Sequence, residues 1–471
     1  MNTTLIPPFA APAERAGAEP VDYSLSVART GQALARGWLW LGLAALVGSG
    51  LFSVLLVLAR TPGVNAWLPG TDFFRTALVV HVDLSVLVWF FAIAGLLWSL
   101  NASRMAARVG WLALGGAGVG ATMMSLAPFV DEGMPIMANY IPVIESGWFL
   151  GGLLVFGIAC AALVAQACSQ WPTLATRGAL GGPAALQFGL WAAAVSAAVA
   201  LLAFGASLMS VPPTLDGKTY WEILWWGGGH ALQFTWTLLM LVGWLWLAQA
   251  SGAHVPLSAR VALGLLALAL AAVFVTPYAY LAHPVLTVEH RELHTWGMRA
   301  GGGLAIFPIA LAVAVGLWRQ RGISDEARPL RAALLASMAL FAAGGLIGLT
   351  IHGSNVKIPA HYHGCIVGVT LALMGLVYHL LPRLGYGTPR GRLAISQPYL
   401  YGLGQLMHIV GLVWSGGYGV QRKVAGSEQV LRSTGEVFGM GLMGLGGAIA
   451  IVGGLLFVVV VWKAMREGRA G

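Results

Sequence analysis

Apolar residues along this chain come in long unbroken runs instead of alternating with polar ones. Twelve runs reach spanning length, at roughly 36–59, 74–100, 109–128, 146–168, 185–209, 222–249, 261–282, 296–318, 330–351, 360–382, 397–416 and 437–462. A run of about 20 apolar residues, rising 1.5 Å per residue, crosses a bilayer as an α-helix. A membrane strand needs about half that length and shows period-two polarity. The pattern predicts an all-α polytopic membrane protein with twelve transmembrane helices in a single bundle domain over residues 36–464. Residues 1–35 are expected to be a disordered cytoplasmic tail and 465–471 a short cytoplasmic tail.

Composition agrees with that pattern. The chain has 471 residues, of which 58% are hydrophobic and 9% charged, and a soluble fold of this size could not hide so much apolar surface. The first 30 residues hold Pro7, Pro8, Pro12 and Pro20 and lack a basic segment followed by an apolar core, so a cleaved signal peptide is not expected. Cys160, Cys168 and Cys365 lie in or beside the runs without paired spacing and are read as inert buried thiols.

Charge sets the expected topology. With the N-terminus in the cytoplasm, the inner loops and tails hold 17 of the 26 Lys and Arg, including Arg319, Arg321, Arg328 and Arg331 in one loop and Arg383, Arg390 and Arg392 in another. That is the positive-inside bias, and it places both termini in the cytoplasm. The net charge of +9 is thereby accounted for without a nucleic-acid partner.

The same topology makes a statement about histidine depth. Helices two, six and ten then run from outside to inside, which brings His81, His230, His361 and His363 near the outer face; His283 follows helix seven, with His290 and His294 in the loop beyond. His254, His379 and His408 fall outside this layer. Imidazole inside a bilayer is costly unless bonded or metal-bound. A lone one such as His408 is read as a structural hydrogen-bonding group, whereas a convergent layer points to ligation of iron, copper or zinc. In "PAHYHGCIVG", residues 359 to 368, His361 and His363 are two positions apart and so point about 200° apart on a helix. They cannot chelate one metal, but each can hold a different one on either side. Two flat macrocycles flanking the helix suit that geometry, since imidazole is a common axial ligand of haem iron.

These residues resemble the catalytic subunit of the haem-copper oxidase superfamily, nearest to its nitric oxide reductase members, with the likeness running over about residues 36 to 464. The resemblance implies a subunit I-like twelve-helix bundle with a low-spin and a high-spin b-type haem. His361 would be the proximal ligand of the high-spin haem, and His363 with His81 would sandwich the low-spin iron. "WWGGGHALQF", residues 225 to 234, is similar to the element whose histidine binds a second, non-haem metal, and gives that role to His230. After helix seven the family offers two adjacent histidines. Here the segment reads "LAHPVLTVEHRELHTW", so His283 stands without its neighbour and Glu289, His290 and His294 are candidates for the remaining ligand. An anionic oxygen such as that of Glu289 would favour iron over copper. Arg422 and Lys423 in "GYGVQRKVAG" resemble the family's basic pair that contacts haem propionates.

The substrate turns on smaller features. Oxygen reductases of the superfamily carry a tyrosine at the reaction centre, in most of them four residues after the helix-six histidine; here that residue is Phe234, although Tyr278 or Tyr280 on helix seven is an alternative. Helix eight, "GGGLAIFPIALAVAVGLW", offers no side chain for proton transfer from the cytoplasm, whereas Asp83, Glu145, Glu222 and Glu289 lie toward the outer side. Electrons and protons supplied from outside fit reduction of two NO to N₂O in a bacterial inner membrane. An oxygen reductase, or a haem-binding non-catalytic membrane protein with a degenerate second-metal site, is the alternative. The chain has no CXXCH haem-attachment motif, so a periplasmic donor subunit carrying a c-type cytochrome or copper domain is expected.

Overall fold

The computed structural model describes residues 21–59, 72–172, 180–351, 356–417 and 433–468. The chain is an all-α polytopic membrane protein. Among the described residues eleven helical segments are long and apolar enough to cross a membrane. The first run is α1 (Arg29–Ala59); the second is α2 (Phe73–Val82) continued by a π-helical turn (Asp83–Val88) and α3 (Trp89–Ser99). Then follow α4 (Arg104–Val130), the antiparallel pair β1 (Met134–Ile136) and β2 (Val143–Glu145), α5 (Gly147–Cys168), α6 (Gly182–Ser210) and α7 (Gly217–Ala250). The seventh run is α8 (Ala259–Val273) with α9 (Val275–Ala282), broken where Pro277 has no N–H to give the carbonyl of Val273. The eighth is α10 (Val288–Trp296), a π-helical turn (Gly297–Gly301) and α11 (Gly302–Arg319). The rest are α12 (Ala327–Leu349), α13 (Lys357–Leu380), α14 (Arg392–Gly417) and α15 (Thr434–Glu467).

Two expected boundaries shift. Helix α1 starts at Arg29, ahead of residue 36, and Tyr23 is fully buried with its hydroxyl donating to the Leu257 carbonyl at 2.9 Å. The stretch from 21 to 35 is thus packed onto the bundle, because an aromatic ring found a seat that a pattern of spanning runs does not reveal. The segment expected as a loop around His290 and His294 is helical, since Thr287 caps α10 by accepting the N–H of His290. The eleventh run folds as α14, 26 residues long, but Ser396, Gln397 and Gln405 keep it outside the eleven apolar segments.

Helices α7 and α13 form the centre of the bundle, buried through most of their length, while α1, α4, α8 and α15 keep apolar faces outward, as lipid-facing helices do. Close contact is made through small residues. A Cβ on Gly364 of α13 would stand 2.5 Å from the Cα of Gly344 on α12, whereas one on Gly345 would meet nothing within 4 Å. This crossing fixes the first two turns of α13, which carry "HYH". Gly364→Val is expected to cost about 1–3 kcal/mol of unfolding stability by overpacking, and Gly345→Val to leave stability unchanged, as read from denaturant titration in detergent micelles.

Candidate metal centre

The histidine-bearing turns of α2, α7, α10 and α13 meet at the end of the bundle where α2, α7 and α13 begin. Each ring there is held in the same way, by a hydrogen bond from Nδ1 to a backbone carbonyl. His361 donates to Gly344 on α12 at 2.7 Å and His363 to Pro359 at 2.9 Å. His81 donates to Ser49 on α1 at 3.0 Å, with the hydroxyls of Ser49 and Ser53 beside the same nitrogen. His230 donates to Trp226 at 2.7 Å and His294 to His290 at 2.8 Å, while His290 lies 3.2 Å from the Ala279 carbonyl and 3.3 Å from that of His283. A carbonyl can only accept, so Nδ1 carries the proton and Nε2 is left as the lone-pair donor, the arrangement that prepares imidazole for a metal.

His361 and His363 leave α13 toward different neighbours. His361 lies against α12, where a Cβ on Gly348 would press on its ring; the His363 ring is 4.8 Å from His408 on α14 and close enough to His81 for their charges to be felt. The rings of His81 and His363 are half-buried. His408, expected outside the layer, belongs to it; its Nδ1 donates to Met443 at 3.0 Å. A single helical run cannot disclose which neighbour its face meets, and that is why the sequence left this residue out.

Three further rings gather around α7. His230 and His294 have centroids 5.5 Å apart, and His294 and His290 4.8 Å apart; His290 and His294 are each only 2% exposed. The i, i+4 spacing in "HRELH" sets these two on one face of α10. That spacing was the available signal for His294, which a reading of the segment as loop obscured. Nε2 of His294 is buried without a hydrogen-bond partner, an acceptor whose lone pair is left unspent. Among the described residues no group of three His, Cys, Asp or Glu side chains is arranged to hold a metal ion.

The expected ligand set changes in two places. His283 caps the end of α9 in extended conformation and brings its backbone carbonyl to 3.3 Å from Nδ1 of His290. Glu289 is exposed, because on α10 it lies one residue, or about 100°, from the face that carries His290. Its side chain is thus turned away from the buried rings of His290 and His294. Arg422 and Lys423 lie outside the described residues.

Two tyrosines flank the trio. Tyr140, in the connection between β1 and β2, places its hydroxyl 2.9 Å from Nδ1 and 3.1 Å from Nε2 of His230, and Tyr280 of α9 packs edge-on against His290 at 4.7 Å. The three glycines before His230 make room for them: a Cβ on Gly227 would strike the Tyr280 hydroxyl, one on Gly228 the Phe204 ring, and one on Gly229 the Tyr140 ring. Burial first, then Tyr362 and Glu222 nearby, hold the Tyr140 phenol well above the usual range for tyrosine. Asn139 donates to the carboxylate of Glu222, and Trp221 donates to Glu145 at 2.8 Å. Asp83, in the π-helical turn just after His81, is buried with one carboxyl oxygen unpartnered. The opposite end differs: His379 receives a hydrogen bond from Arg383 at Nδ1, at 3.3 Å.

Comparison with known proteins adds length without chemistry. No family model matches the chain. It is similar to an uncharacterized protein of Rickettsia prowazekii (strain Madrid E), 27% identical over 500 aligned positions that cover 92% of this chain and 96% of that one. It is also similar to an uncharacterized protein of Aquifex aeolicus (strain VF5), 26% identical over 366 positions, covering 77% and 88%.

If the gathered imidazoles are the ligands of a non-haem metal, His290→Ala and His294→Ala should each abolish its retention, while Glu289→Gln should keep it. Metal analysis of the purified chain after chelator washing checks this, and loss of metal in the Glu289 variant would return that carboxylate to the ligand set.

Proposed function

We propose that the chain is the catalytic subunit of a membrane-bound nitric oxide reductase of the haem-copper oxidase type, carrying out 2NO + 2e⁻ + 2H⁺ → N₂O + H₂O. The observation that carries this reading is the convergence of six imidazoles from four helical segments, each with Nδ1 committed to backbone and Nε2 left as a donor. In this reading the imidazoles are shared between two haems and one further metal. His81 and His363 would hold a low-spin b-type haem, His361 a high-spin b-type haem, and His230, His290 and His294 the non-haem metal. When bound, these groups supply the electrons and the Lewis-acid stabilisation of developing negative charge.

The chain's own part is placement and exclusion. Gly344 and Ser49 carbonyls fix two of the rings from neighbouring helices, so ligand direction is set by helix packing. Beyond His230, α7 is buried and apolar from Leu238 to Ala248, and above that stretch Thr237 gives its hydroxyl to the Gln233 carbonyl. Ser337, deeper in the bundle, accepts from Trp244 and donates to Gly368. Glu145 and Glu222 hold partners beside the histidine end of α7, Trp221 and Asn139, and in this reading protons would enter there. With both termini cytoplasmic, in a bacterial inner membrane, that end is periplasmic. There Arg422 and Lys423 would meet haem propionates and a c-type cytochrome or copper-domain subunit would deliver electrons. In this reading α14 crosses as the twelfth helix, packed on α15.

Phe234, not tyrosine, follows His230 by four residues, and it is buried; this supports NO over O₂. One observation favours an oxygen reductase: Tyr280, on α9, packs directly on His290, as a tyrosine supplied from helix seven would. Consumption of each gas by the purified, metal-replete chain with a chemical electron donor separates the two. NO turnover with non-haem iron is the expected result; one copper per chain with O₂ turnover and no NO turnover would overturn it.

A further inference from the structure

We infer that the end of the bundle opposite the histidines carries a headgroup site for one anionic phospholipid of the phosphatidylglycerol type, between the start of α14 and the last turns of α15. The site lies away from the haems and metal of the proposed function and does not rest on them. The first observation is a cavity of about 370 Å³, lined by residues 388–393 on one side and by Val459, Val460, Lys463, Ala464 and Glu467 on the other. Sites for small ligands run to about 300–1,000 Å³, so a phosphoglycerol group has room. The two walls are fastened to each other. Gly387 donates its N–H to the Ala464 carbonyl at 2.8 Å, Pro389 is buried, and a Cβ on Gly468 would stand 2.5 Å from the Cα of Tyr386.

The second observation is charge. Arg390, Arg392 and Lys463 line the cavity against a single carboxylate, that of Glu467, and none of these residues makes an ion pair among the described residues. The excess of cations selects an anionic headgroup over a zwitterionic one. Helix α14 begins at Arg392 behind Gly391, which has no side chain to accept the first N–H groups, so the positive end of the helix adds to the same field. The third observation is the apolar surface beside the cations. Leu393 and Val459 line the cavity and are exposed, and Leu455 and Val452 continue from Val459 in steps of four and three along the outer face of α15. A headgroup seated on the cations would lay its acyl chain on that stripe, toward the middle of the bilayer. Free phosphate would leave the stripe unused, so a lipid is the occupant the surface fits. Charges that serve topology alone need only lie in the loops; here three share one walled cavity.

The test is native mass spectrometry of the delipidated full-length protein in detergent micelles, titrated separately with phosphatidylglycerol, phosphatidylethanolamine and phosphatidylcholine of the same acyl chains. One phosphatidylglycerol is expected to be retained per chain, about tenfold more tightly than either other lipid, and Arg390→Gln, Arg392→Gln and Lys463→Gln should each weaken it about fivefold. Glu467→Gln should strengthen retention, a gain that misfolding cannot imitate. A control chain with Arg260→Gln, Arg319→Gln and Arg321→Gln loses exposed charges from the same end but outside the cavity, and should bind as the parent does. Equal retention of the three lipids, loss of retention in the control chain, weaker retention in Glu467→Gln, or displacement by glycerol phosphate at the concentration of the lipid would overturn the inference.

Discussion

The structure depends on one recurrent interaction, the hydrogen bond from an imidazole Nδ1 to a backbone carbonyl inside an apolar bundle. Each such bond is worth only about 0.5–1.5 kcal/mol net, but its geometric effect is larger than its energy. It fixes the tautomer, orients the ring and leaves one lone pair available. For His361 the acceptor is on another helix, at Gly344, so the ring can be held only where α12 and α13 come almost into backbone contact. The glycines at that crossing and the direction of the ligand are therefore one constraint seen at two scales.

A buried polar group in lipid must find a partner, and several here do so locally: Ser337 with Trp244 and Gly368, and Nδ1 of His379 with Arg383. At the histidine end the partners leave lone pairs unspent, and buried atoms such as Nε2 of His294 and one oxygen of Asp83 remain unpaired. The short β1–β2 pair closes over that end and brings Tyr140 to His230. Two π-helical turns, after His81 and after His294, sit where the helices depart from regular spacing, which is a common setting for functional residues.

Much of this was legible in the sequence, and for physical reasons. Apolar runs report lipid contact directly, and successive spanning helices alternate in direction, so the placing of His81, His230, His361 and His363 near the starts of α2, α7 and α13 was legible. The two-residue spacing of His361 and His363 required different neighbours, and the bundle supplies α12 for one and α14 for the other. Helix α10 was not legible as a run because its residues are mostly polar; only its Thr287 cap and the spacing of His290 and His294 mark it. Tyr140 had no local signal, since nothing in a two-strand connection says what it will reach. His408 shows the remaining limit: hydropathy gives a helix, but not the partner of each face.

The central claim is that this histidine layer holds two haems on opposite sides of α13 and one further metal beside α7. The most direct measurement is haem and metal stoichiometry of the purified chain, together with its reduced-minus-oxidised spectrum in the presence and absence of carbon monoxide. The expected result is two b-type haems and one non-haem metal per chain, with one haem low-spin and the other binding carbon monoxide. A chain without a carbon monoxide-reactive haem would contradict the account.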